Sequence, residues 1–436
     1  MYPLNAYIIH NQFIKGIENF IRQDPHLNIL SQLKYQHSAD WWKELKLDIP
    51  GIYILTGGRQ IGKSISCKLL IKYCLQKKLF SKDSIFYLPC DEIYDAKQLG
   101  QTIRFFLNQV TSNFLIIIDE ITFVKNWDRV IKALADEGCF KKGLCLLTGS
   151  DTLILKEAAM RFPGRRGQSS KVDFHLYPLS FFEYVKLISK KANINNEKLF
   201  ELFKDYLVCG GYLKAINDFA KNGKVSESTY FTYEQWIRGD FLKKNKNEEI
   251  LLQLLRTVLI VGISQISYSS LTQKIGLISK ETCIDYTNLL QRMDILMDLQ
   301  AYDQTKNQGF PRKARKFHFL NPFINHIIFH WLKREGYLNS IEKLNYNNLI
   351  ESCVASHCRR FGKAYYFKGI GEIDIIYIKD KFLQAIEVKW SDKLKSNDLK
   401  MLKQFKNSII LGKSLKDGFI DNIKIMPVYE FLYTLK

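Results

Sequence analysis

A chain of 436 residues has room for about two to four domains, each with its own core. Hydrophobic content of 46% and aromatic content of 13% exclude a largely disordered protein. The formal net charge of +20 points to a polyanionic partner, nucleic acid foremost, although lysine-rich solvated faces produce the same total. The nine cysteines are scattered, odd in number and contain no C-x-x-C, so they read as reduced, mostly buried thiols. The first residues, Met1-Tyr2-Pro3-Leu4-Asn5, lack the charged and apolar regions of a signal peptide. No apolar run approaches the ~20 residues of a membrane helix. The expectation is a soluble cytoplasmic protein with no membrane partner.

Residues 1–48 read as a helical arm, with Ile8, Ile9, Phe13, Ile17 and Phe20 at helical spacing and Trp41 and Trp42 packing it onto the next domain. Residues 49–180 alternate short apolar strands with helical patterns. The strands are Gly51 to Thr56, Ile85 to Leu88, Phe114 to Ile118, Leu144 to Thr148 and Val172 to Leu176. Such alternation predicts right-handed crossovers and a parallel sheet covered on both faces.

The first strand runs into Gly57-Gly58-Arg59-Gln60-Ile61-Gly62-Lys63-Ser64, a complete G-x-x-x-x-G-K-[ST] phosphate loop that opens a helix. Its glycines allow backbone N–H groups to close around phosphates, and the helix N-terminus adds partial positive charge. In that frame ATP is the expected ligand, with Lys63 reaching the β- and γ-phosphates and the Ser64 hydroxyl binding Mg²⁺. The third strand ends in Asp119-Glu120. The first acid is placed to hold Mg²⁺ and its water, the second to polarise an attacking water. The fourth strand ends in Leu147-Thr148-Gly149-Ser150, where a polar side chain, Thr148, can touch the attacking water or the γ-phosphate as a sensor does, or Gly149-Ser150 is simply a turn. The basic stretch Arg161-Phe162-Pro163-Gly164-Arg165-Arg166-Gly167 is either a solvated loop or the source of an arginine for the transferred phosphoryl group.

Taken in order, Gly-Gly-Arg-Gln-Ile-Gly-Lys-Ser, Ile-Asp-Glu-Ile, Leu-Thr-Gly-Ser, Pro-Gly-Arg and Leu176-Tyr177-Pro178-Leu179-Ser180-Phe181 resemble the prokaryotic AAA-superfamily ATPases that carry a C-terminal domain of unknown function. The resemblance continues through Gly210-Gly211-Tyr212 and a winged-helix pattern. It implies that Asp119 and Glu120 form the second nucleotide motif. It also implies that Arg165 matches the arginine of the Gly-Arg turn, acting within its own subunit or on a neighbour. Gly58 stands where that family usually has proline, and Thr122 where it usually has glutamine.

Residues 181–245 are expected to form a helical lid. In residues 246–335 a helix-turn-helix pattern (Ser269 to Ile275, Gly276-Leu277, Ser279 to Met293) precedes a β-wing, Leu299 to Tyr302 and Lys316 to Leu320. The wing loop offers Lys306, Arg312, Lys313 and Arg315 for phosphate contacts. The second helix begins with Lys280, Glu281 and Asp285, a mixed set poorly suited to base edges. His326 and His330 have zinc-binding spacing, but Ile327 stands where a metalloprotease has glutamate, so two satisfied histidines on an apolar helix are expected.

Residues 336–436 hold a second constellation. Glu351 lies on a helix, Asp374 on one strand, Glu387 and Lys389 on the next, and Gln404-Phe405 on a later helix. Asp374, Glu387 and Lys389 match the D…E-x-K arrangement of restriction-endonuclease-like folds, which this domain resembles. Asp374, Glu387 and Glu351 would hold Mg²⁺, and Lys389 would orient water for phosphodiester attack. The fold class is therefore α/β: a P-loop sheet, helical lid, winged-helix module and restriction-endonuclease-like domain. Two functions are compatible with these residues: ATP hydrolysis coupled to DNA processing, or an ATP-dependent switch whose C-terminal domain binds a protein or polyanion without cutting it.

Overall fold

The computed structural model describes residues 4–149, 155, 164–189, 194–276, 279–339, 343–391, 396–414 and 416–436. Ser150, Arg161, Phe162, Pro163 and Leu277 lie outside them. The chain divides into two compact units, residues 1–177 and 178–436.

The first unit is built on five strands: β1 Gly51–Gly57, β2 Ile85–Pro89, β3 Leu115–Asp119, β4 Leu144–Gly149 and β5 Asp173–Leu176. All pairings are parallel, in the order β2-β3-β4-β1-β5. Parallel sheets are covered on both faces, which is why β1 to β4 read as continuous apolar runs with every residue buried. Ile116, Ile118, Leu147 and Ile54 meet Ile103 and Ile131 from two flanking helices in one core. Each such side chain contributes about 1.5–3 kcal/mol by leaving water. Because β1, β3 and β4 run the same way, Gly57, Asp119 and Gly149 finish at one edge, where the site is found.

The N-terminal segment lies along β2, the edge strand. Its helices Ile17–Gln23 and Pro25–Ser31 are separated by Asp24, whose carboxylate accepts from the His26 and Leu27 amides, with Pro25 in the first turn. Two 3₁₀ segments, Leu4–His10 and Gln12–Lys15, precede them. Asn11 supplies what a neighbouring strand would: its side chain donates to the Tyr87 carbonyl (2.9 Å) and accepts from the Tyr87 amide (2.8 Å). The open strand edge is thereby closed by a side chain. Trp41 and Trp42 are buried, and the Trp41 indole donates to Ser66 Oγ (2.6 Å).

The second unit begins with helices Phe181–Ser189, Asn196–Cys209, Leu213–Asn222, Glu227–Lys243 and Glu248–Val261. Two distant motifs meet here, since the Leu179 amide donates to the Gly211 carbonyl (2.9 Å) and a Cβ on Gly211 would come within 2.1 Å of the Leu179 carbonyl oxygen. Helices Tyr268–Ile275 and Lys280–Arg292 lead to the hairpin β6 Leu296–Asp303 and β7 Gln308–Phe319. After helices Pro322–Arg334 and Tyr346–Phe361 come β8 Lys363–Lys368, β9 Glu372–Lys379, β10 Phe382–Val388, β11 Ser408–Gly412, β12 Gly418–Ile420 and β13 Ile423–Pro427. The hairpin does not stand apart: β6 pairs with β8, giving one eight-stranded sheet in the order β12-β13-β11-β10-β9-β8-β6-β7. The Tyr346–Phe361 helix packs across this sheet against β7, β9 and β10. Among the described residues no helix is long and apolar enough to cross a membrane.

Candidate functional site

At the C-terminal edge of the first sheet, β1 turns through residues 58–62 into the Lys63–Gln76 helix. Gly62 sits at φ +96° with nothing within 4 Å of where a Cβ would be, so conformation and not space requires glycine. Gly62, at the N-cap, has no side chain of its own to cap the helix it opens. A long helix starting with uncapped amides is a fitting anion site. Lys63 is 5% exposed and donates to the carbonyls of Gly57 and Gly58, both at 3.0 Å. Its ammonium lies 3.4 Å from Glu120 Oε1.

The two acids are held by the strands on either side of β3. Thr148, wholly buried on β4, donates to Asp119 Oδ1 and accepts from the Glu120 amide (3.1 Å). Tyr87, on β2, donates to Asp119 Oδ2. Both carboxylate oxygens of Asp119 are therefore fixed by hydroxyls, one from each flanking strand. Burial pushes the Tyr87 hydroxyl well up, and the Asp119 charge adds to it, so the phenol stays protonated and donates. The Ser64 side chain stands near that phenol. Glu120 itself stands in the left-handed region, φ +51°, which turns its side chain away from the strand direction. The donor set suits a magnesium nucleotide: a hydroxyl and a carboxylate for a hard cation, an ammonium and uncapped amides for phosphate.

Arg165 is not brought to this edge. Its guanidinium pairs with Asp136, at the end of the Trp127–Asp136 helix. The carbonyl of the next residue, Arg166, accepts from the Ile52 amide (3.3 Å) at the opposite end of β1, about 20 Å from the loop at roughly 3.3 Å per residue. The Arg166 guanidinium forks onto Asp173.

In the second unit, Glu351, Asp374 and Glu387 do converge. Ile386 pairs with Ile375, so the next position sets Glu387 beside Asp374 on neighbouring antiparallel strands. The Val388 amide donates to Asp374 Oδ2 (2.9 Å), and Lys389 Nζ lies 2.8 Å from Glu387 Oε1. Between the carboxylates stands a group that the sequence did not single out: Lys316 of β7, 1% exposed. Its ammonium lies 2.7 Å from Glu372 Oε1, 3.1 Å from Glu351 Oε1 and 3.4 Å from Asp374 Oδ1. Burial works against this charge, but Glu351, Asp374 and Glu372 together outweigh it and raise the Lys316 pKa. Burial also pushes the Glu351 carboxyl well above the usual range, with Asp374 adding to it. Glu387 is pushed up to about 7 by burial and by the Asp374 charge, against the pull of Lys389. Among the described residues no three carboxylates, histidines or cysteines are grouped so as to hold a metal ion.

The hairpin corrects a second expectation. Its turn is residues 304–307, and the basic residues assigned to a loop lie mostly on β7. Lys306, Arg312 and Lys313 are exposed, whereas Arg315 pairs with Asp298 and packs its guanidinium 4.6 Å from the Tyr268 ring centre. Of the two histidines of the Pro322–Arg334 helix, His326 is hydrogen-bonded to the Leu207 carbonyl (2.9 Å) and His330 stacks on Tyr230.

Residues 50–185 match the family model of the AAA domain, and residues 200–335 match that of a domain of unknown function. An uncharacterized protein of Haemophilus influenzae is 24% identical over 408 residues, 88% of this chain and 95% of that protein. Another, from Methanocaldococcus jannaschii, is 26% identical over 435 residues, 89% and 86% of the two chains. Among solved structures, the Walker-type ATPase of Pyrococcus abyssi aligns at a TM-score of 0.45 and 13% identity, covering 66% of this chain and 95% of that one. The ORC2 protein of Aeropyrum pernix aligns at 0.39 and 12%, covering 73% and 95%. The stretch that matches the AAA domain includes the phosphate loop, Asp119 and Glu120.

Proposed function

We propose that the chain is a Mg²⁺-dependent ATPase that works as a switch, its second unit binding a polyanion without cutting it. The observation that carries the ATPase reading is the pair Asp119-Glu120, fixed by Thr148 and Tyr87 beside Lys63. In this reading the loop amides and the Lys63 ammonium bind the β- and γ-phosphates of ATP. Ser64 and Asp119 would hold Mg²⁺, which supplies positive charge to the phosphate oxygens. Glu120 accepts a proton from the attacking water; its pairing with Lys63 keeps the carboxylate at the loop until phosphate competes for the ammonium. Thr148 keeps Asp119 and Glu120 in register by bonding to both. Lys63→Ala tests the binding half: titration with a fluorescent ATP analogue should show lost affinity with the fold intact, and unchanged affinity would remove the loop from that role.

Support for a polyanion as partner is the net charge of +20, with Lys306, Arg312 and Lys313 exposed on the β6–β7 hairpin. DNA is the first candidate. The non-cutting reading rests on Lys316, which sets an ammonium among the carboxylates that a nuclease would give to a metal. Metal-dependent cleavage is the second reading, favoured by the adjacency of Asp374, Glu387 and Lys389. Incubating single- and double-stranded DNA with the protein and Mg²⁺ or Mn²⁺ separates the two: intact DNA supports the switch, and cleavage that Asp374→Ala abolishes supports the nuclease.

A further inference from the structure

We propose that Tyr87 is a positioning residue for the Mg²⁺-holding carboxylate, and that through it the N-terminal segment, residues 4–31, is tied to the nucleotide site. The inference rests on the ATPase reading above and deepens it. Tyr87 is 1% exposed. Its hydroxyl donates to Asp119 Oδ2 and neighbours Ser64, the two groups assigned to the cation. A carboxylate with one oxygen held by Thr148 and the other by Tyr87 cannot rotate, so its free lone pairs keep one direction.

The backbone of Tyr87 is held from the N-terminal segment. Asn11 bonds both backbone groups of Tyr87, and the same Asn11 amide reaches the Tyr7 carbonyl (2.8 Å). The Tyr87 ring lies 4.8 Å from the Lys68 ammonium. Lys68 pairs with Asp24 at 2.6 Å, both side chains wholly buried, and lies 3.1 Å from His10 Nδ1. Lys68 belongs to the helix that begins at the phosphate loop, whereas Asp24, His10 and Asn11 all belong to the segment. A buried ion pair is costly to separate, so the segment, the loop helix and Tyr87 move together or not at all. A burial-only role for Tyr87 would need the ring and no hydroxyl. The hydroxyl aimed at Asp119 is what assigns it to the site.

Tyr87→Phe removes that hydroxyl and keeps the ring, so the Lys68 and Asn11 contacts remain. In the full-length protein, a fluorescent ADP analogue is titrated with and without Mg²⁺, and the Mg²⁺ concentration for half-maximal enhancement of binding is read. The expected result is a rise of about ten- to a hundredfold in that concentration, the usual weight of a group that orients a metal ligand. Affinity without Mg²⁺ should be unchanged. Hydrogen exchange in residues 4–31 should slow on adding Mg²⁺ and nucleotide to the wild type, and slow less in Tyr87→Phe. An unchanged Mg²⁺ requirement in a variant that binds nucleotide would overturn this inference alone. Failure of the wild type to bind any nucleotide would overturn the ATPase reading and this inference with it.

Discussion

Lys316→Met leaves the length of the side chain and deletes its charge. The ammonium has three carboxylate neighbours within 3.4 Å and almost no contact with water, so its loss strands buried negative charge. Breaking a buried pair in this way costs about 3–5 kcal/mol. The cost depends on pH with a definite sign. Acids whose folded pKa is raised bind more protons folded than unfolded, so their contribution to stability falls as pH rises from the unfolded value through the folded one. Without Lys316 that rise in pKa is larger, and the deficit should grow from about pH 4.5 towards neutrality. Hydrogen exchange of β9 and β10 in the full-length chain reads it directly: exchange should be faster than wild type by about a hundredfold to a few thousandfold at pH 7.5 and by much less near pH 5. Adding Glu372→Gln and Asp374→Asn to Lys316→Met removes the stranded charge and should restore most of the protection. If Lys316→Met exchanges within a few-fold of wild type at pH 7.5, Lys316 is not the counter-ion of this cluster.

Glu387, pushed up to about 7, makes its own prediction. Wild-type stability should fall relative to Glu387→Gln as pH rises from about 4.5 to about 7, by up to about 3 kcal/mol; parallel urea curves across that range would contradict it. Binding of labelled duplex should weaken steeply between low and physiological salt, since each phosphate contact releases a counterion, and Arg312→Ala with Lys313→Ala should flatten the slope by about two contacts. No binding at low salt would move the partner from nucleic acid to another class.

The first unit was legible because its physics is local. Apolar runs bounded by turns gave all five strands, and the glycine pattern marked the loop after β1. The sequence also marked Asp119-Glu120, since two acids closing three isoleucines are conspicuous. Tyr87 was not visible: an aromatic residue in Ile85-Phe86-Tyr87-Leu88 reads as core, and only the register of β2 beside β3 aims its hydroxyl at Asp119. Lys316 was hidden for the opposite reason. In Lys313-Ala314-Arg315-Lys316-Phe317 every charge reads as solvated wing, yet alternation along β7 turns Lys316 inward under the Tyr346–Phe361 helix. Arg165 precedes β5, and in a parallel sheet the segment before a strand lies at the edge away from the phosphate loop, so Arg165 does not reach the loop of its own chain. Gln404, expected on a helix, falls in the turn after Ser396–Leu402. Pairings between distant segments decide the cases of Tyr87 and Lys316, and periodicity carries no record of them.

In the proposed function this chain hydrolyses ATP at the edge of the first sheet with Glu120 as the proton acceptor. Steady-state phosphate release by wild type and Glu120→Gln, each at saturating ATP and Mg²⁺ and with nucleotide affinity measured alongside, tests it most directly. Equal affinity with turnover lower by roughly a hundredfold or more in the variant is the predicted result. Equal turnover in the two proteins, or no phosphate release by a wild type that binds ATP, would contradict it.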